Sequence, residues 1–482
     1  MAQSFHHGTR VFESAENPVL VRTAQTAVIG LIGTAPDADP LKFPLNKPVQ
    51  ILKPTDAADL GDAGTLKDNI DSVFDQIVTP IVVVRVAEGA NTQATWANLI
   101  GDFSAYTGVH AFLRAQSDGL YKPKILLASG WTTSAPADGI ASVNVTVAGS
   151  GYTQDTVSVT IAGDGTGAEA KAVVASDGTI ASILITKPGY GYSNATATVS
   201  DTGSGVNSTA TANIGAVMNP VVAELAGVAE KLWAMAYIDG PDSTDQAAVQ
   251  YRQLINSPRI AVCDPKVLKF DTDTLLNVPK PTSAIFAGLQ AKRDNEQGFW
   301  WVGSNVPIAG IVGVNRPVIY GAQSDYLNEN RINTIVNIKT SNGSAGYRAW
   351  GVWTCAQDLL WQFISVRRTA DVINEALEEA YLEFVDKPFT RANLKFLVES
   401  GAAFLRTLEL EGAILPGSKV WLLDTNTDSE MAQGKVKLGV MFEPPAPMVD
   451  IQLTAHRNIA AYTLLLKEVV EEIGSGSLAA AA

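Results

Sequence analysis

Ile81-Val82-Val83-Val84-Arg85-Val86 is the stretch on which the reading of the fold turns. All of it except Arg85 is apolar and β-branched, with no polar alternation, as in parallel strands covered on both faces. Outward from it, the same texture returns at Ala27 to Gly33, Lys124 to Ala128, Met235 to Asp239 and Arg259 to Cys263, with a shorter strand at Val49 to Leu52. Helical periodicity separates these runs. Thr65 is placed to cap a helix with Leu66, Ile70, Phe74 and Ile77 on its apolar side. Further helical patterns lie at Gln93 to Ile100, Val109 to Ala115, Pro220 to Trp233 and Asp245 to Ile255. The alternation predicts an α/β fold with a doubly wound, mainly parallel sheet at its core.

The alternation breaks between Gly139 and Gly215. This span holds twelve glycines, many Thr, Ser, Ala and Val, no Phe or Trp, and Leu184 as its one leucine. Six short β-type runs centre near Val143, Val157, Ala170, Ile183, Thr196 and Ala212. Gly149-Ser150-Gly151-Tyr152-Thr153 recurs forty residues on as Gly189-Tyr190-Gly191-Tyr192-Ser193. The reading is an all-β module with a small-residue core, inserted at a loop between a strand and its following helix and projecting from the outer surface.

Downstream, Ser283 to Lys292 reads as a helix, and Gly346 to Cys355 alternates as a strand with Tyr347 and Trp353 on one face and Trp350 on the other. A helix is expected to open at Thr369, carry Ala370, Ile373, Leu377, Ala380, Tyr381 and Phe384 on its apolar side, and stop at Pro388. Asp371, Glu375, Glu378, Glu379 and Glu383 form an acidic stripe, read as a solvated face in preference to a docking surface for a basic partner. Leu394, Leu397, Leu405 and Leu408 mark another helix, weakened at Gly401 by about 1 kcal/mol relative to Ala. A strand at Lys435 to Phe442 carries Val436, Leu438 and Val440. Val449, Ile451, Leu453 and Ala455 alternate in a further strand, and a final apolar run spans Tyr462 to Leu466. The architecture is thus an α/β core with an α+β C-terminal domain, extended N- and C-terminal arms, and the inserted module.

Hydrophobic residues make up 46% of the 482 and charged residues 17%, a low charge density that suits a protein burying surface against other subunits. A net charge of -14 argues against nucleic acid or an anionic membrane as the main partner. Cys263 and Cys355 sit in apolar runs and are expected as reduced core thiols. Met1 to Arg10 lacks an apolar signal core, so the expectation is a soluble chain made in the cytoplasm.

Chemistry on such a sheet belongs at the carboxyl ends of its strands, where Thr34 to Asp39, Glu88, Ser129, Asp239 and Asp264 lie. Gly30-Leu31-Ile32-Gly33 is inside a strand, there is no P-loop, and Ser129-Gly130 lacks the preceding glycine of a nucleophile elbow. Asp239 and Asp264 read as helix-capping residues more readily than as a metal pair. His6 and His7 stand far from His110 and His456. Neither a catalytic residue, a cofactor nor a metal is expected. Asp164, Asp177 and Asp201 read as turn residues, and glycan binding by the module would have to rest on Tyr152, Tyr190 and Tyr192.

Several motifs, in order, resemble contractile tail sheath proteins of bacteriophages and phage-tail-like bacteriocins: Phe5-His6-His7-Gly8, Phe43 to Pro48, Asp294 to Trp300 with Ser304 to Val306, Gly346 to Gly351, Arg367 to Ala370, and Val385 to Pro388. The resemblance covers roughly 1–135 and 220–475 and leaves the module outside. It implies a subunit that polymerises as a six-fold helical sleeve around a tail tube and contracts to drive the tube through a cell envelope, without enzymatic activity. The implied partners are further copies of itself, the tube protein, and baseplate and tail terminator proteins, with no direct nucleic-acid contact and no stable membrane insertion. The implied location is the virion tail, after synthesis in the host cytoplasm. The expected division is an N-terminal arm (1–24), an α/β core (25–138 and 216–340), the module (139–215), a C-terminal domain (341–460) and a C-terminal arm (461–482). The arms, through Thr9, Arg10, Val11, Phe12, Glu13, Val19, Leu20, Val21 and Arg22 at one end and Tyr462, Leu464, Leu466 and Val469 at the other, are expected to add strands to neighbours. The acceptor is expected around Tyr347, Trp350, Trp353, Val436, Leu438 and Val440. The alternatives are an α/β enzyme of hydrolase or transferase type and a surface protein that binds glycans through the module.

Overall fold

The computed structural model describes residues 25–272, 274–339 and 345–479, so the N-terminal arm residues Thr9 to Glu13 and Val19 to Arg22 lie outside the described residues, as do His6 and His7. From the N-terminal side come β1 (Ile29–Thr34), β2 (Pro48–Ile51), α1 (Leu66–Phe74), β3 (Ile81–Val86), α2 (Thr92–Ile100) and β4 (Ile125–Leu127). The inserted strands follow as β5 (Gly139–Ser150), β6 (Val157–Gly163), β7 (Thr166–Val174), β8 (Ile180–Tyr190), β9 (Ala195–Asp201) and β10 (Val206–Gly215). Next are α3 (Pro220–Leu232), β11 (Met235–Asp239), α4 (Asp245–Gln253), β12 (Ile260–Cys263), β13 (Val267–Asp271), β14 (Leu276–Lys280) and α5 (Ser283–Glu296). Then come β15 (Gly313–Val314), α6 (Gln323–Glu329), β16 (Thr334–Lys339), β17 (Ala345–Trp350), α7 (Ile364–Tyr381), α8 (Arg391–Glu411), β18 (Lys419–Leu422), α9 (Asp428–Ala432), β19 (Leu438–Met441) and α10 (Ala461–Ala479). The chain divides into a large compact unit ending at Ala446 and a small one beginning at Pro447.

The main sheet of the large unit has the strand order β12-β11-β4-β1-β3-β2, parallel except where β2 runs against β3. Successive residues of a strand face opposite sides, and both sides are covered. Val28, Ile32, Val82 and Val84 pack with α2, α3 and α4, whereas Ile29, Leu31, Ile81 and Val83 pack with α1 and α5. That double covering is why the strands read as unbroken apolar runs. Thr65 precedes α1 as expected but does not cap it: its hydroxyl accepts from the Thr34 N–H at 3.2 Å and the Trp131 indole N–H at 3.1 Å, joining α1 to the sheet. Val109 to Ala115, expected as an α-helix, is a 3-10 turn (Gly108–Arg114).

The inserted strands form a second six-stranded sheet in the order β10-β5-β8-β7-β6-β9, and β9 lies beside β10, bringing the sheet's two ends together as a barrel. The forty-residue repeat is a structural pseudo-dyad. Antiparallel β5 and β8 face each other at Val143 and Ile183, and β6 and β9 at Val159 and Val199, so each crossing joins residues forty apart. The β5–β10 ladder pairs Ala148 with Ser208, and the β7–β8 ladder pairs Pro188 with Ala168, so exchanging each residue for the one forty positions away turns one pair into the other. The tyrosines obey the same symmetry. The Tyr152 hydroxyl accepts from the Ser208 N–H at 3.2 Å, and the Tyr192 hydroxyl from the Ala168 N–H at 3.3 Å. Each ring lies on a hairpin glycine of the other half: a Cβ on Gly205 would fall 2.2 Å from the Tyr152 ring, and one on Gly165 would fall 2.4 Å from the Tyr192 ring. The core is therefore not made of small residues alone: Ala172 and Ala197 lie in it beside Ile140, Val143, Ile180, Ile183, Tyr152 and Tyr192.

A candidate assembly site around the C-terminal helices

α7 is the hub of the C-terminal part, and it differs from the sequence expectation in two respects. It starts at Ile364, five residues before Thr369, because Phe363 is held extended by its bridge to Trp353 and the helix begins at the next residue. Arg367, Arg368 and Thr369 are thus inside the helix and buried. The acidic stripe is also not uniformly solvated: Asp371 and Glu375 are buried, while Glu378, Glu379 and Glu383 are exposed.

The buried carboxylates meet cations that stand immediately before strands of the main sheet. Lys124 precedes β4, and its ammonium binds Glu375 and donates to the Leu232 carbonyl at 2.9 Å, while Lys122 reaches the same carboxylate at 2.6 Å. Arg259 precedes β12 and pairs with Asp371, which also takes Arg367 at 2.7 Å. Arg368 pairs with Asp294 of α5, the Arg367 guanidinium lies 4.1 Å from the Trp361 ring, and the Trp233 indole donates to Glu378 at 2.9 Å. Burial holds the Lys124 ammonium down at about 8 despite the opposing Glu375 charge, and burial raises the Asp371 and Asp294 carboxyls despite their arginines. One helix face is therefore bolted to the amino ends of the sheet strands by desolvated ion pairs, which are costly to break singly. The buried part of the stripe, Asp371 and Glu375, is a docking surface for cations of its own chain. The sequence signal that would have located its partners is a lone Lys or Arg directly ahead of an apolar strand.

Beyond α7, a third core joins Ile373 and Leu377 to Leu397, Phe404, Leu405 and Leu408 of α8 and to Val420 of β18. Gly401 is required by that packing, because a Cβ there would lie 2.2 Å from the Tyr381 hydroxyl. β18 and β19 form a two-stranded sheet, and among the described residues neither has a ladder partner on its outer edge. Leu438 and Val440 lie on β19, and Val436 just before it. Tyr347 and Trp350 are elsewhere: they sit on β17, paired with β16, and pack on opposite sides of the main sheet's cores. The Trp353 indole donates to Asn328 at 2.7 Å. The six residues expected as one acceptor thus fall into two places, because β16 within the large unit already satisfies the β17 ladder.

In the small unit, Val449, Ile451 and Leu453 are exposed in a segment without regular structure rather than in the expected strand. Tyr462, Leu464, Leu466 and Val469, expected in an extended arm, are exposed on α10. Tyr462, Leu466 and Val469 recur with Ile459 and Ile473 at alternating spacings of three and four, which is the helical period, and Leu464 falls off that stripe.

At the carboxyl ends of the main sheet, Asp239 is buried and fully engaged. It accepts from the Thr282 and Ser283 N–H groups at 2.9 Å each, capping α5, and from the Gly130 N–H at 3.0 Å and the Ser283 hydroxyl at 2.9 Å. Asp264 accepts from the Asp242 N–H at 2.8 Å and pairs with Arg316. Both carboxylates serve local structure. In the barrel, Asp177 accepts from the Thr179 N–H at 3.0 Å, as turn chemistry does, whereas Asp164 takes the Ser193 and Asn194 N–H groups at 3.0 Å in the other half of the module. Tyr152, Tyr190 and Tyr192 are all buried, so none offers a face for stacking a sugar. The barrel meets the body where its pseudo-symmetry fails. Tyr190, whose counterpart is Ser150, sets its ring edge-on to Trp96 at 5.9 Å, and Lys187, whose counterpart is Val147, lies 3.8 Å from Glu224.

Residues 191–345 match the phage tail sheath protein central domain, and residues 356–457 match the phage tail sheath C-terminal domain. The tail sheath protein of Burkholderia phage BcepMu is 32% identical over 97% of this chain and 99% of its own length, and that of Escherichia phage P2 is 27% identical over 93% and 94%. The helical sheath of the anti-feeding prophage in the contracted state has the same fold, with a TM-score of 0.59 at 18% identity, covering 94% of this chain and 99% of that one. The chain belongs to the tail sheath protein family. Because the central-domain match begins at residue 191, it takes in β9 and β10, and the module is not wholly outside the family as the sequence reading had it.

Proposed function

We propose that the protein is the repeating subunit of a contractile tail sheath, forming a six-fold helical sleeve around a tail tube between baseplate and terminator, and located in the virion tail after assembly in the host cytoplasm. The observation that carries this reading is the end-to-end similarity to a tail sheath chain, at 32% identity over 97% of the sequence. On this reading the doubly wound domain (25–138 and 216–340) is the scaffold, 341–460 is the linking domain, and residues 1–24 and 461–482 are arms. The open edges of β18 and β19 would take strands from neighbours, and the exposed alternation of Val449, Ile451 and Leu453 suits a donated strand. Main-chain ladders between subunits would keep them joined while they rotate between two packings.

Electron microscopy of the purified protein tests this directly. Hollow six-fold sleeves or rings are expected, and a small discrete oligomer at every concentration overturns it. Removing residues 1–24 should abolish polymerisation while the thermal unfolding of the body stays within a few degrees. Intact polymers, or a collapsed body, would remove the arms from the mechanism.

A further inference from the structure

Two arginines of the large unit meet in one pocket without a counter-ion. Arg252, in the last turn of α4, and Arg331, just beyond α6, line a cavity of about 250 Å³ together with Gln253, Glu329, Asn330 and Gln357. Both arginines are half-buried, and among the described residues neither guanidinium forms an ion pair or a hydrogen bond. Arg85, Arg293, Arg316, Arg367 and Arg368 also bury an Nε that donates to nothing, but each is held through another guanidinium nitrogen, and Arg252 is not. Burial, and then the neighbouring Arg252 charge, push the Arg331 guanidinium below its ordinary range. Glu329 lies on the exposed rim and pairs with neither.

The backbone at Arg331 sharpens the question. The Ile332 N–H donates to the Leu327 carbonyl at 2.9 Å and the Arg331 N–H to the Asn328 carbonyl at 2.8 Å, which closes α6 with Arg331 at a φ of 59°. That left-handed position is the one glycine usually fills. A cation at the carboxyl end of a helix suits the backbone dipole, and this accounts for each arginine singly. It does not account for an arginine at a glycine position, nor for two partly desolvated like charges sharing one pocket, an arrangement that calls for an anion between them.

We propose that Arg252 and Arg331 form a binding site for a phosphoryl group, clamped between the ends of α4 and α6. Two guanidinium forks offer more donors than one carboxylate accepts, whereas a phosphoryl group brings at least three oxygens and close to two negative charges. The side-chain amides of Gln253 and Gln357 stand at the same pocket without hydrogen bonds, free to donate to the outer oxygens, and the Gln357 N–H is fixed on the Asn256 Oδ1 at 3.1 Å. The bound anion offsets the repulsion between the two arginines and joins α4, α6 and the segment that leads to α7. The site belongs to the single chain and stands whether or not the chain polymerises.

Calorimetric titration of the full-length protein with inorganic phosphate, in phosphate-free buffer of low salt, tests the site. Saturable binding of one ion per chain is expected, with none for chloride at matched ionic strength. Arg252→Gln and Arg331→Gly should each weaken it about tenfold, the loss of a charge-assisted contact. Arg331→Gly adds a readout that a structural arginine would not give: without phosphate its melting temperature should rise, because glycine suits the position, and the further rise on adding phosphate should vanish. No saturable binding, or binding that both variants keep, means an adventitious ion only and overturns the proposal. A lower melting temperature for Arg331→Gly without phosphate makes Arg331 structural and overturns it as well. Glycerol phosphate separates the sources: equal affinity assigns the site to a phosphoryl group on a larger molecule, and affinity weaker by about tenfold assigns it to the free ion. Phosphate binding that is lost on assembly, together with failure of both variants to assemble, would give the arginines to a neighbour's carboxylate and overturn the assignment.

Discussion

The α/β body and the inserted barrel make their cores in opposite ways. β1 and β3 of the body are buried on both faces, so each residue needs a covering helix from elsewhere in the chain, and the seam with α7 is closed by Lys124, Arg259 and Arg368 over long sequence separations. The barrel's strands alternate instead, its core is one layer of Ile, Val, Ala and Tyr, and the β5–β10, β5–β8, β7–β8 and β6–β9 ladders each take one strand from each forty-residue half. The body is therefore held by distant, non-interchangeable parts and the barrel by near, duplicated ones. Damage should spread through the first and stay local in the second.

The largest effect is expected at the α7 seam. Asp371→Ala leaves Arg259 and Arg367 buried without their carboxylate and should cost about 3–5 kcal/mol, measured as a shift of the urea midpoint of the body with the barrel's transition unmoved. A loss below about 1 kcal/mol would place these ions in the solvated class instead. Lys124 adds a pH signature. Its folded pKa of about 8 lies below the ordinary lysine value of 10.5, so between the two the unfolded chain binds the extra proton. Its contribution to stability therefore rises with pH across that window and is least favourable below it. Lys124→Met combined with Glu375→Gln should flatten the slope between pH 8 and 10.5, and an unaltered slope would assign it to other groups.

Smaller effects probe single contacts. Gly401→Ala forces Tyr381 away from α8 and should cost about 1–3 kcal/mol, partly recovered by adding Tyr381→Phe. In the barrel, Tyr152→Phe and Tyr192→Phe each remove one hydroxyl acceptor, at about 1 kcal/mol each. The two losses should be equal within about 0.5 kcal/mol, read by hydrogen exchange of the barrel amides. Unequal losses would make the pseudo-dyad a matter of shape alone.

What the sequence revealed follows the same division. The body's strands were legible because double burial leaves an apolar run such as Ile81 to Val86, and the six barrel strands because glycines punctuate them. The pseudo-dyad was visible only as a repeated GxGYx word, since the residues that form its axis, Val143 with Ile183 and Val159 with Val199, are ordinary alternating positions. The seam was misread at Thr369 and along the acidic stripe. A charge buried against a distant partner has the same local pattern as a charge in water, and no periodicity separates Glu375 from Glu379. The C-terminal run was assigned to an extended arm because Leu464-Leu465-Leu466 is compatible with either period, and the helical one emerges only with Ile459 and Ile473 included.

The smallest effect on the body should come from the largest change, replacement of 139–215 by a short Gly-Ser linker. Gly139 and Gly215 are ladder partners, so the cut ends at Asp138 and Ala216 stand one strand spacing apart and a few residues bridge them without strain. The losses include the edge-on contact of Tyr190 with Trp96, the hydrogen bond from the Tyr192 N–H to the Asp138 carbonyl at 2.8 Å, and the Lys187–Glu224 pair. The Lys187–Glu224 pair is half-exposed and lies 3.8 Å apart, and near-surface pairs of that kind contribute about 0–1 kcal/mol. Trp96 would become partly wetted but keep its hydrogen bond to the Trp131 carbonyl at 3.1 Å. The body's melting temperature should therefore fall by no more than a few degrees, with assembly into sleeves retained. A deletion protein that is insoluble, or that stays monomeric while the parent assembles, would show that the barrel's free half contacts a neighbour. The separation of a cooperative body from an independent barrel would then hold for the single chain and fail for the polymer.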